Sequence, residues 1–252
     1  MKHLSLSYLC IAMCLITCTT RCEETANKKI IARWKKGGVI FEQPQFVVVD
    51  TDVNIKQKTI IGCGVHLLGN TSIGQACTIG HYTVIKNCII GDNVQIKSHC
   101  VLENVIIEDG AEIGPFAHLQ EGSVVEEKAV IGNFVEVKRS TIGPNTKAKH
   151  LSYLGDVTTH EGVNIGAGTI VCNYNGVEKH KSIIGRKASI GSNTCIIAPR
   201  TIGSHAITAA GSCITKDVPD RALAICRPKE QINKEDYAPG LLARYEKQKS
   251  KH

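Results

Sequence analysis

Aromatic residues are scarce in this 252-residue chain, at 4%, with a single Trp. A core of packed rings is thereby excluded, and burial must come from aliphatic side chains. No C-x-x-C pair occurs among the 12 cysteines, which excludes a zinc ribbon or a thioredoxin-type site. Cys10, Cys14, Cys18 and Cys22 sit near the start, and the other eight fall singly from Cys63 to Cys226. Such scattered cysteines read as small core hydrophobes in a reducing compartment, not as a disulfide framework. No apolar run is long enough to span a bilayer as a stable helix. The formal net charge of +7 suits phosphorylated small molecules and coenzymes as well as nucleic acid. The basic residues are scattered without interleaved aromatics, so nucleic acid is not the expected partner.

What is present is abundant Ile and Val with 23 Gly, a balance that suits repetitive β structure. Ile55, Ile61, Leu67, Ile73, Ile79 and Ile85 stand six apart, and a shifted set follows with Val84, Ile90, Ile96 and Leu102. A third block runs through Ile113, Leu119, Val125, Ile131 and Val137, and Ile184, Ile190, Ile196, Ile202 and Ile214 resume the count. Six is neither a helical nor a strand period. It fits a three-sided prism with one hexapeptide per side and about 18 residues per coil. One aliphatic side chain per side points inward, and the Gly that often follows it (Ile61-Gly62, Ile131-Gly132) is expected to ease the corner. Residues 51–218 are therefore read as an all-β parallel β-helix of about nine coils, roughly 45 Å long at the usual strand spacing.

Three other segments flank the prism. Residues 1–24 form an apolar leader similar to a secretory signal peptide, the alternative being a chance apolar extension. Residues 25–50 are expected to hold a short helix, Ala26–Lys36, and an extended connection. From Pro219 the period stops, and residues 219–252 read as an irregular basic tail.

The period also loosens between Lys147 and Gly176, where His, Tyr, Lys and Asn crowd together. A scaffold that turns irregular and polar in one place usually carries its chemistry there. The runs GNFVEVK (132–138), KAKHLSYLGD (147–156), VNIGAGTIVCNYNG (163–176) and ALAICR (222–227) closely resemble one bacterial enzyme family. That family is the acetyltransferase half of the bifunctional N-acetylglucosamine-1-phosphate uridyltransferase/glucosamine-1-phosphate acetyltransferases. The resemblance covers roughly residues 30–235 and implies a left-handed β-helix of hexapeptide repeats. It also implies a homotrimer with active sites between prisms, and acetyl transfer from acetyl-CoA to the 2-amino group of glucosamine-1-phosphate. No metal is expected for that step.

By this resemblance His150 is the general base, a residue type that titrates near neutrality and can take the amine proton. A main-chain N–H in the Gly166-Ala167-Gly168 turn is the expected donor to the oxyanion. Ala167, Asn173, Tyr174, Ser192, Ala210 and Arg227 fall at acetyl-CoA positions. Lys138, Tyr153 and Asn164 fall at sugar-phosphate positions, and Lys179 lies in an excursion that reaches toward an adjacent subunit. One position departs: Gln120 stands where the family has an arginine, and a neutral amide cannot replace a guanidinium on phosphate. His118 is the expected partial substitute.

The uridyltransferase half would need a Gly-rich nucleotide loop on a separate domain, and residues 1–50 offer none. The implied activity is therefore acetylation alone, with a separate uridyltransferase as partner, for UDP-N-acetylglucosamine, peptidoglycan and lipid A synthesis. Two alternatives stay open: a hexapeptide acyltransferase for another amino sugar, and a weakened trimeric remnant acting as scaffold. A γ-class carbonic anhydrase shares the prism, but its metal-histidine spacing is not found around His66, His81, His99 and His118. Acetyl-CoA and sugar phosphates are cytoplasmic, so the cytoplasm is the expected location and export the alternative.

Overall fold

The computed structural model describes residues 26–226. The leader (1–24), most of the tail and Arg227 lie outside the described residues. Strand pairing sets each inward residue on its counterpart one coil further on: Ile61 faces Ile79, Ile79 faces Ile96, and Ile96 faces Ile113. Each coil gives one short strand to each of three parallel sheets, of 11, 10 and 9 strands. The chain is a left-handed parallel β-helix. Its core is a stack of aliphatic layers, one side chain per side per coil; Ile61, Leu67 and Ile73 form one such layer, at most 3% exposed.

Two details differ from the sequence reading. Val84 is half-buried on the outer surface, while Ile85 is fully buried. The slip therefore falls between Ile85 and Ile90, where one side is a pentapeptide and the coil is correspondingly shorter. The glycines that follow inward isoleucines also have another purpose than the corner. Gly132 has no positive φ, but a Cβ there would collide with the Lys149 carbonyl of the next coil. The left-handed corner residues lie two further on and are mostly not glycine: Phe134 and Leu151 have φ of 55° and 48°. Close stacking, not turn geometry, selects Gly132.

One corner carries an exposed ridge as a result. Tyr82, His99, Phe116 and Phe134 occupy the same left-handed position on successive coils, and their rings stack at 5.3, 5.0 and 5.3 Å. Leu151, 60% exposed, follows in line. The cysteines also divide: Cys77, Cys88 and Cys100 are buried, but Cys63, Cys172 and Cys195 are half-buried and Cys213 and Cys226 exposed. Only three of these eight thiols are core, because the others sit on outward strand or corner positions.

Strand pairing begins at Ile40–Phe41 and ends at Leu223–Ala224. A helix over 26–36 lies across the N-terminal end, with Ile31 buried and Ile30 and Trp34 packed on the core. Asn27 there donates Nδ2 to the Val47 carbonyl at 2.8 Å and accepts the Val49 N–H at 3.0 Å. Those two main-chain groups belong to the first coil and face away from the second.

Candidate active site

His150 ends the strand Lys147–His150 with its side chain exposed, one residue before the left-handed corner at Leu151. The register then determines what stands beside it. Ala148 pairs with Ile165, Ile165 with Ile190, and Ile190 with Thr208. Counting two residues on from each gives His150, Ala167, Ser192 and Ala210. Four sequence-predicted residues thus form one column along a prism edge, about 4.8 Å per step. The candidate base stands at its N-terminal end. In the turn beside it, the Gly166 N–H is bound to the Ile190 carbonyl at 2.8 Å and the Gly168 N–H to the His150 carbonyl at 3.4 Å. Among the described residues no backbone carbonyl engages the Ala167 N–H between them.

The excursion from Asn173 to Lys181 leaves the prism as a small hairpin. Tyr174 bridges Lys179 in antiparallel fashion, and Asn175 Oδ1 accepts the N–H groups of Val177 and Glu178 at 2.8 and 2.7 Å. Its base is fixed by a buried network. Arg139 donates Nε and Nη2 to the two carboxylate oxygens of Asp156, both at 2.8 Å. Asn173 Nδ2 donates to Asp156 Oδ2 at 2.5 Å and lies 3.4 Å from the Tyr153 hydroxyl. The Arg139 hydrogen bonds, followed by the one from Asn173, hold the Asp156 carboxyl below its ordinary range despite burial, and they raise Arg139. Gly155 beneath carries no side chain, and a Cβ there would stand 2.5 Å from the Tyr153 hydroxyl. Sequence reasoning missed Arg139 and Asp156. The signal was available, since their spacing along the chain is that of a single coil.

Lys138 stands apart from this group. Its Nζ donates to Gln120 Oε1 at 2.8 Å and lies 3.8 Å from Glu121 Oε1, while Gln120 Nε2 donates to Glu136 Oε1 at 2.5 Å. Gln120 thus bridges an acid and a base already on the protein. His118 is exposed in register with Glu136, and Asn164 is exposed between Lys147 and Ser189. No cluster of metal-ligating side chains is found among the described residues.

The coils define the class: a hexapeptide-repeat β-helix of the kind seen in acyltransferases. A solved UDP-N-acetylglucosamine acyltransferase from Bacteroides fragilis has the same fold, with a TM-score of 0.50 at 16% identity over 79% of this chain and 76% of that one. In sequence the chain is homologous to the C-terminal, acetyltransferase half of the bifunctional GlmU proteins. It is 46% identical to the Koribacter versatilis protein over 84% of this chain and 45% of that one. It is 50% identical to the Thermodesulfovibrio yellowstonii protein over 81% and 45% respectively. The chain thus spans about half the length of these curated relatives. Residues 45–153 also match the model of the GMPPB C-terminal domain.

Proposed function

We propose that this chain transfers acetyl from acetyl-CoA to the 2-amino group of glucosamine-1-phosphate, giving N-acetylglucosamine-1-phosphate. The observation that carries this reading is the column from His150 through Ala167 and Ser192 to Ala210. It offers a base at one end and an extended edge for a long coenzyme.

The neutral amine attacks the thioester carbon while a His150 ring nitrogen takes one of its protons. Negative charge gathers on the former carbonyl oxygen, where the Ala167 N–H is the nearest free main-chain donor in the turn. Collapse breaks the carbon–sulfur bond, and the departing thiolate takes the proton from His150. An amide and a thiol result. Asn173 and Tyr174 would contact the coenzyme where the hairpin leaves the prism, and Arg227 would meet a coenzyme phosphate. Tyr153, Asn164 and Lys138 would bind the sugar.

A homotrimer fits this reading. Lys179 is exposed on the hairpin, and the stacked ridge from Tyr82 to Leu151 presents apolar surface beside His150. Rings of this size left in water are a liability that a neighbouring copy removes. The product would feed UDP-N-acetylglucosamine supply for peptidoglycan and lipid A. These substrates place the reaction in the cytoplasm, and no helix among the described residues is long and apolar enough to cross a membrane.

The test is release of free thiol from acetyl-CoA on addition of glucosamine-1-phosphate. Absence of turnover at saturating substrate rejects the reading, and turnover with another amino sugar alone replaces the acceptor.

A further inference from the structure

Beside His150, on the side away from the coenzyme column, lies a hollow of about 380 Å³. Its shape follows from the register. Ile96, Ile113, Ile131 and Ala148 stack as inward partners, so the residues after them, Lys97, Gly114, Gly132 and Lys149, form one outward column. Two lysines therefore face each other across two rungs that carry no side chain. Lys147 and Glu112 stand in the parallel column two residues earlier, and both line the hollow with His150.

Charge separates this place from the one the family pattern points to. Glu112 lies 3.6 Å from Lys97, but Lys147 and Lys149 enter no ion pair among the described residues. Three lysines against one glutamate leave these four side chains at +2, matching a phosphate dianion. Lys138, by contrast, is held by Gln120 and faces Glu121, with Glu136 one hydrogen bond further on.

We infer that the lysine-walled hollow is an anion site that takes the phosphate ester of the acyl acceptor, in place of the Lys138–Gln120 pair. The coenzyme column runs from Ala167 toward the C-terminal coils, whereas the hollow opens toward the N-terminal ones. An acceptor whose phosphate sits there meets the base from the side opposite the thioester. The inference rests on the acetyltransfer reading only for the identity of the ester, and anion binding is measured without turnover.

The experiment is calorimetric titration of the intact protein with inorganic pyrophosphate at low salt. The expected result is one saturable site per chain, weakened at least about tenfold in Lys147→Gln/Lys149→Gln and unchanged in Lys138→Gln. All three side chains are exposed or half-exposed, and thermal unfolding of each variant checks that the fold persists. Glucosamine-1-phosphate should displace pyrophosphate, and adenosine 3′,5′-bisphosphate should not. No pyrophosphate binding, equal binding by the double lysine variant, loss only in Lys138→Gln, or displacement by the adenosine bisphosphate alone would each overturn the assignment. If displacement succeeds while thiol release fails, the site stands and the acetyltransfer reading falls.

Discussion

Arg139 grips Asp156 through two parallel hydrogen bonds of 2.8 Å, and Asp156 in turn anchors Asn173 at the root of the hairpin. The pair joins two successive coils and orients a side chain proposed to touch the coenzyme. Bidentate guanidinium–carboxylate geometry holds direction as well as distance.

Asp156→Asn should therefore destabilise the chain by about 2–3 kcal/mol, less than a fully buried pair because Arg139 keeps some exposure. It should also weaken acetyl-CoA binding. Chemical unfolding and coenzyme titration measure the two effects. The carboxyl is held below its ordinary value of 3.8. Its contribution is thus complete above that value and is lost as pH falls through it toward the lower folded value. In the wild type the unfolding temperature should drop over that acid range, and Asp156→Asn should flatten the drop.

His150→Ala should lower kcat by about 10²–10⁴-fold, the usual worth of a positioned base. The side chain is exposed, so the unfolding temperature should stay within a degree or two of wild type. Full activity in this variant would remove His150 from the mechanism.

Gln120→Arg breaks the bridge between Glu136 and Lys138 and puts a second cation beside Lys138. With the phosphate in the lysine-walled hollow, the KM for glucosamine-1-phosphate should change by less than about fivefold, the scale of an exposed charge contact. A sharp fall in KM would return the phosphate to the Lys138 side.

Phe134→Glu, at the last ring of the ridge, should convert the proposed trimer to monomers in sedimentation while the far-ultraviolet circular dichroism of the coils persists. Phe134 is 58% exposed in the single chain, so a merely structural role predicts no change of mass.

Leu154→Ala removes a fully buried side chain next to Tyr153 and should cost about 2–5 kcal/mol in urea unfolding.

The prism was legible because each layer needs one aliphatic residue per side, and Ile61 through Ile85 repeat that demand without interruption. The slip at Ile85 was harder, since Val84 and Ile85 are both aliphatic and only pairing to neighbouring coils chooses between them. His150 could be named from its motif, but its alignment with Ala167, Ser192 and Ala210 runs through coils of unequal length, the longest of which absorbs the hairpin. Lys97, Lys147 and Lys149 looked like scattered surface charge. Only the closed register shows two bare glycine rungs between them.

A stack of parallel coils has no intrinsic last member, because its terminal rung shows the same main-chain groups that recruited the rung before it. Asn27 answers that problem with one side-chain amide. Its carbonyl and NH₂ occupy the partners that another strand would seek at Val47 and Val49. The helix that carries it is in effect a chain terminator for the ten-stranded sheet, closing the outer edge of Val48–Val49 to a further strand.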